Sequence, residues 1–270
     1  MSESSLPFND RVYPGKMDKN AQRTLLKAEW EKSIKNPQEY WAEKAKAIDW
    51  FKTWDKVLDD SNKPFYKWFA GGVLNISYNA LDRHLNTPKK NMLAYIWEGE
   101  DGEVRTYSYY QLYREVNKLA KIFKDLGLKK GDRVSVYLPM IPELPITLLA
   151  CSRIGAVHTV VFSGFSAEAL ADRINDSGAK VVVTADGAYR RGKTVTLKDT
   201  TDHALQITPN VQHVIVVRRT KQEVPMKEGR DVWYHEAMRE VEPNAYVAPE
   251  PMESTEPLFI LYTSGTTGKP

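Results

Sequence analysis

The chain has 270 residues, 42% of them hydrophobic and 27% charged, which suits one large domain or two modest ones and is too apolar for intrinsic disorder. Its 38 Lys and Arg outnumber 35 Asp and Glu for a net charge of only +3, too mild for electrostatics alone to imply nucleic acid or membrane. The single cysteine, Cys151, excludes a disulfide framework, and no Cys–His spacing matches a zinc site.

In chain order, the first residues, Met1-Ser2-Glu3-Ser4-Ser5-Leu6-Pro7, have neither a basic start nor an apolar core, so a secretory signal is not expected. The most apolar stretch, residues 144–162, is broken by Pro145, Arg153, Gly155 and His158, whereas a membrane span needs ~20 mostly apolar residues. A cytoplasmic protein is expected. Trp30, Trp41, Trp50, Trp54 and Trp68 crowd the first seventy residues, among lysines and acids. Trp41, Ala45 and Ile48 fall at helical spacing and predict an amphipathic helix. Aromatics among lysines also suit base stacking, but Glu43, Asp49, Asp55, Asp59 and Asp60 dilute the positive field. Residues 1–85 are therefore expected to be an aromatic-rich helical segment packed on a core formed by residues 86–270. Gly71-Gly72 predicts a tight turn, and residues 81–85 a helix.

From residue 104 the pattern becomes regular. Val104-Arg105-Thr106-Tyr107 reads as a strand after an Asp101-Gly102 hairpin turn, and Ser108 with Gln111 forms a capping box. Leu112, Val116, Leu119, Phe123 and Leu126 mark the helix that Gly127 stops. Strands are predicted at 133–137, 157–161, 181–183, 214–217 and 258–262, with helices at 143–154 and 166–174. Continuous valine runs point to strands buried on both faces, and their spacing to βαβ units, so the class is α/β with a parallel or mixed sheet flanked by helices. Cys151, inside the apolar helix, reads as a buried thiol, and His158, inside a valine strand, as structural.

In open α/β sheets ligands bind beyond the C-terminal ends of the strands. Three loops leave strands at that end: residues 163–166, 186–193 and 263–269. The last is Thr263-Ser264-Gly265-Thr266-Thr267-Gly268-Lys269. Its glycines let backbone N–H groups converge on an anion, and its hydroxyls and Lys269 add donors and a cation, as a triphosphate requires. A Walker A loop is excluded, because Gly265 lies three residues before Gly268 rather than five before it, and Pro270 follows Lys269. Arg190-Arg191-Gly192-Lys193 groups three cations around a glycine, between a strand ending near Thr184 and a helix expected to start near Thr194. Such a turn suits bidentate phosphate binding aided by a helix N-terminus, or it is a solvated basic loop.

The stretch Tyr262-Thr263-Ser264-Gly265-Thr266-Thr267-Gly268-Lys269-Pro270 resembles the phosphate-binding signature of the acyl-adenylate-forming superfamily. Tyr137-Leu138-Pro139-Met140-Ile141-Pro142-Glu143, Phe162-Ser163-Gly164-Phe165-Ser166, Asp49-Trp50-Phe51-Lys52-Thr53-Trp54 and Asp82-Arg83-His84-Leu85 narrow the resemblance to the AMP-forming acetyl-CoA synthetase family. The resemblance covers residues 37–270. It implies a two-step ligase in which acetate and ATP give acetyl-AMP and pyrophosphate, and CoA then displaces AMP. By the same resemblance Thr263, Ser264, Gly265, Thr266, Thr267, Gly268 and Lys269 hold the ATP phosphates, and Arg190, Arg191, Gly192 and Lys193 hold the nucleotide end of CoA. Gly164 lines the pantetheine channel, although a plain strand-to-helix turn explains it equally. Arg191 and Ser163 depart from the family pattern. Mg²⁺ accompanies ATP, with its ligand expected outside this chain, as are the acid pocket and the catalytic residues. The 270 residues are expected to be the N-terminal portion of a longer enzyme, inactive alone, with propionate as the alternative acid and the oligomeric state left open. A short nucleotide- or CoA-binding protein without catalysis is the other reading. Neither nucleic acid nor membrane is an expected partner.

Overall fold

The computed structural model describes residues 19–263, and side chains of the first helix from residue 26. Two compact units emerge, one of residues up to 48 with 55–70, the other of residues 49–54 with those from 71 onward. The first holds helices α1 (Lys19–Lys35) and α2 (Pro37–Ala45) and an antiparallel pair, β1 (Lys56–Asp59) and β2 (Lys67–Ala70). Exposed ion pairs Lys32–Glu43 and Lys44–Glu29 join the helices, and solvent screening keeps each of them weak. The expected Trp41–Ala45–Ile48 stripe is cut short, because α2 ends at Ala45. At residue 49 the backbone N–H and C=O pair with the Asn79 side-chain amide at 2.8 and 2.9 Å.

The second unit begins with β3 (Val73–Leu74) and α3 (Ile76–Ala80), capped by Asn75. The helix predicted at 81–85 is a single 3₁₀ turn, Asp82–His84, following α3. A hairpin of β4 (Leu93–Glu98) and β5 (Val104–Ser108) turns at Gly102, φ 78°. Next, α4 (Tyr109–Asp125) opens on the capping box, with Ser108 accepting from the Gln111 N–H and Gln111 from the Ser108 N–H. It closes before Gly127 at φ 82°, a conformation that favours glycine. Leu112, Val116, Leu119 and Phe123 are its buried face.

The chain then alternates through β6 (Arg133–Tyr137), α5 (Glu143–Arg153), β7 (Val157–Val160), α6 (Ala167–Ser177) and β8 (Val181–Ala185). A small hairpin follows, β9 (Gly187–Arg190) with β10 (Lys193–Thr196), then α7 (Lys198–Leu205), β11 (His213–Val217), β12 (Asp231–Trp233) and α8 (Tyr234–Glu240). Two short strands, β13 (Met252–Glu253) and β14 (Phe259–Ile260), complete the series. The six-stranded sheet runs β12-β11-β8-β6-β7-β14, every pair parallel. The expected α/β class is observed, and β8 is buried along all five residues, as its valine run requires. Among the described residues no helix is long and apolar enough to cross a membrane.

The chain leaves β6 toward β7 on one side, whereas β8 leads to β11 on the other. The connections therefore diverge between the adjacent strands β6 and β8, a topological switch point whose C-terminal side forms a crevice. Cys151 is fully buried, and burial pushes its thiol pKa up, so it stays a thiol. His158 on β7 stacks against Phe259 of β14, its ring buried and its Nδ1 without a partner among the described residues. Burial lowers its pKa to about 4. Below pH 6.5 the unfolded chain takes up a proton that the folded chain refuses, so stability falls between pH 6.5 and 4, by about 3 kcal/mol in full. Urea unfolding across that window should show this loss in the parent and not in His158→Gln. Parallel pH profiles for the two proteins would refute it.

Candidate functional site

The switch-point crevice is a cleft of about 270 Å³. The segment after β6 supplies Pro139, Met140 and Ile141, and the one after β7 supplies Phe162 and Ser163. The β9 strand adds Tyr189 and Arg190. Trp97 closes one wall, its indole N–H donating to the Met140 carbonyl at 2.6 Å. Aromatic and apolar side chains share the lining with Glu98 and Glu100 and with the cations Arg190 and Arg219, a mix that suits a ligand part hydrocarbon and part polar.

The basic tetrapeptide does not precede a helix, as its composition led us to expect. It is the turn of the β9–β10 hairpin, with Arg190 opposite Lys193, and the next helix begins only at Lys198. The reason is local. Thr194-Val195-Thr196 is β-branched throughout, and two-residue turns of positive φ match the twist of paired strands. Arg191 and Gly192 stand at φ 52° and 72°, the pattern of a type I′ turn. Arg191 thus occupies a left-handed conformation unusual for a residue other than glycine, and no helix N-terminus contributes to this turn. The signal in the sequence is an X-Gly pair directly before the β-branched run Thr194-Val195-Thr196.

Gly164 and Arg190, far apart in sequence, come together. A Cβ on Gly164 would lie 2.6 Å from the Phe162 ring and 2.7 Å from Arg190 Nη1. The Arg190 guanidinium rests over the Phe162 ring at 5.4 Å. Tyr137, at the C-terminal end of β6, donates its hydroxyl to the Phe165 carbonyl at 2.8 Å and so fixes this loop. Arg190, Arg191, Gly192, Lys193 and Gly164 are all exposed. Thr263, also exposed, follows β14 on the same side of the sheet. Immediately before it, Tyr262 donates to Asp176 at 2.5 Å and lies under Arg173. Burial, then that carboxylate, raise the Tyr262 pKa to about 12. Ser264, Gly265, Thr266, Thr267, Gly268 and Lys269 lie outside the described residues.

Several residues that support the site carried no motif. Asp186, fully buried, accepts the N–H groups of Gly187, Arg219, Thr220 and Lys221 at 2.7 to 3.0 Å. One carboxylate thereby ties the base of the hairpin to the end of β11. Arg105 makes a two-point pair with Glu143 at 2.7 and 3.3 Å, burying the acid between its flanking prolines. An acid directly after a buried valine strand is the only sequence hint of the Asp186 arrangement. Among the described residues no three His, Cys, Asp or Glu side chains gather as metal ligands.

A family model described as "AMP-binding enzyme" matches residues 81–270. The chain belongs to the AMP-binding enzyme family. A second model, "Acetyl-coenzyme A synthetase N-terminus", matches residues 26–80. This AMP-binding chain is 52% identical over 99% of its length to an acetyl-coenzyme A synthetase of Pyrobaculum aerophilum, covering 42% of that protein. It is 53% identical over 90% of its length to the acetyl-coenzyme A synthetase of Methanothrix thermoacetophila, covering 36% of it. A 3-hydroxypropionyl-coenzyme A synthetase of Sulfurisphaera tokodaii is 52% identical over 89% of the chain and covered to 37%. The chain thus spans about two fifths of the length of the curated relatives it matches.

Proposed function

We propose that the chain is the N-terminal part of an AMP-forming acetate–CoA ligase of the cytoplasm. A carboxylate oxygen of acetate attacks the α-phosphorus of ATP, and pyrophosphate leaves. The CoA thiolate then attacks the acyl carbon, the thioester forms, and AMP departs with the carboxylate oxygen it had gained. The observation that carries the reading is the packing of the basic turn against Gly164 at the mouth of the cleft. A phosphate-bearing nucleotide on Arg190, Arg191, Gly192 and Lys193 leaves its long thiol arm beside Gly164, pointing into apolar walls. The two arginines grip phosphate bidentately, and Lys193 adds a point charge. Thr263 and the residues up to Lys269 would hold the β and γ phosphates, where charge builds as pyrophosphate leaves. Mg²⁺ would arrive with ATP. The described residues offer it no acidic cluster.

Steady-state kinetics of the full ligase test this. Arg190→Ala combined with Arg191→Ala should raise the KM for CoA at least about tenfold, since each charge-assisted contact is worth about 1.5–3 kcal/mol. A KM for CoA within twofold of the parent would refute the assignment. Acetate is the proposed acid, yet relatives named for acetate and for 3-hydroxypropionate are equally similar to this portion. Comparison of kcat/KM for acetate, propionate and 3-hydroxypropionate therefore decides the acid.

A further inference from the structure

The basic turn sits on a two-stranded hairpin of four residues per strand, with most of its residues exposed. A two-stranded ribbon of that size is marginal by itself, so its turn must be positioned from outside. The outside support converges on Arg219, in the loop after β11. Its side chain is only 8% exposed, and its guanidinium lies between the rings of Trp97 at 5.0 Å and Tyr189 at 4.8 Å. Tyr189 is the neighbour of Arg190 on β9. The same guanidinium pairs with Asp101 at 2.6 Å and Glu103 at 2.8 Å, which fixes the tip of the β4–β5 hairpin. From that tip Glu100 accepts the N–H of Gly192, the second central residue of the basic turn, at 2.6 Å. Gly99 leaves room for this closure, since a Cβ there would lie 2.8 Å from Arg219 Nη2. The backbone N–H of Arg219 is itself held by Asp186, which also takes the first N–H of β9.

We propose that Arg219 is a positioning residue for the CoA-binding turn, acting through Tyr189 on one side and through the Asp101–Glu103 tip and Glu100 on the other. The inference rests on the assignment of that turn to the nucleotide end of CoA. Arg219 need not touch CoA. It fixes where Arg190 and Gly192 stand, and a phosphate clamp displaced by an ångström loses much of its grip. Arginine suits the position because only its planar fork meets two carboxylates while stacking between two rings.

The test is a kinetic comparison in the full ligase using CoA and pantetheine, which carries the thiol arm without the nucleotide. Arg219→Met should raise the KM for CoA about tenfold, keep kcat at saturating CoA within twofold, and leave kcat/KM for pantetheine within twofold. Arg219→Lys should fall between the parent and Arg219→Met. Glu100→Ala should raise the KM for CoA about threefold, and Glu100→Gln, whose amide oxygen still accepts from Gly192, should restore it. Equal losses for CoA and pantetheine would reduce Arg219 to general support of the fold and overturn the proposal. Parent-like KM for CoA in both Arg219→Lys and Glu100→Ala would also overturn it, even if Arg219→Met failed to fold. Arg190→Ala serves as the separate control. If it alone leaves the KM for CoA unchanged, the assignment of the turn has failed rather than the role of Arg219.

Discussion

Replacing Asp186 by alanine is expected to destabilise the protein by about 4 kcal/mol and to weaken CoA recognition at the same time. The carboxylate is fully buried and satisfies four backbone N–H groups, of Gly187, Arg219, Thr220 and Lys221. A buried donor left unsatisfied costs about 1–3 kcal/mol, and water entering the space would satisfy only some of them. Asp186→Asn should recover only part of the loss. Its amide oxygen can replace Oδ1, which accepts from Gly187, Arg219 and Thr220, but its NH₂ then faces the Lys221 N–H that Oδ2 accepted. Urea unfolding reads the stability, and amide hydrogen exchange at residues 219–221 reads the local opening. If Asp186→Asn matched the parent in both, the four-donor arrangement would be wrong.

Asp82→Ala is expected to cost about as much for a different reason. Arg153, at the end of α5, is entirely buried, and its guanidinium pairs with both Asp82 oxygens at 2.8 and 2.9 Å. Its Nε donates to the Val247 carbonyl at 2.6 Å, and the rings of Tyr113 and Tyr246 lie against it. Removing the acid leaves a buried cation with rings but no counter-charge, a change of about 3–5 kcal/mol. Because desolvation of the pair offsets much of its attraction, Arg153→Met added to Asp82→Ala should return part of the loss. Urea unfolding of the two single variants and the double variant gives the coupling. A single Asp82→Ala loss below about 1 kcal/mol, or a double variant weaker than Asp82→Ala, would contradict this account.

These two carboxylates differ in how visible they are from sequence. Asp82 lies in a recognisable Asp-Arg-His-Leu stretch, though nothing there announces a partner seventy-one residues later. Asp186 shows only an acid where a valine strand ends. The same contrast runs through the fold. Ser108 and Gln111 cap α4, Ser166 caps α6, and Gly127 and Gly178 stop those helices with positive φ, all as local chemistry dictates. From sequence alone, the hairpin of residues 187–196 reads as the approach to a helix, because three cations and a glycine fit a phosphate-binding helix start as well as a turn. Its β-branched second strand and its pairing partner decided otherwise.

Local sequence determined the class, the buried valine strands, the caps and the identity of the charged turn, because each depends on residues within one or two turns of chain. The meeting of Gly164 with Arg190, the strand order that opens the cleft between β6 and β8, and the Arg219 clamp were decided only by tertiary structure. Their partners stand from 26 to 118 residues apart. A contact at such separation leaves no periodicity in the sequence; it exists only once the parallel sheet brings the C-terminal ends of its strands to one side.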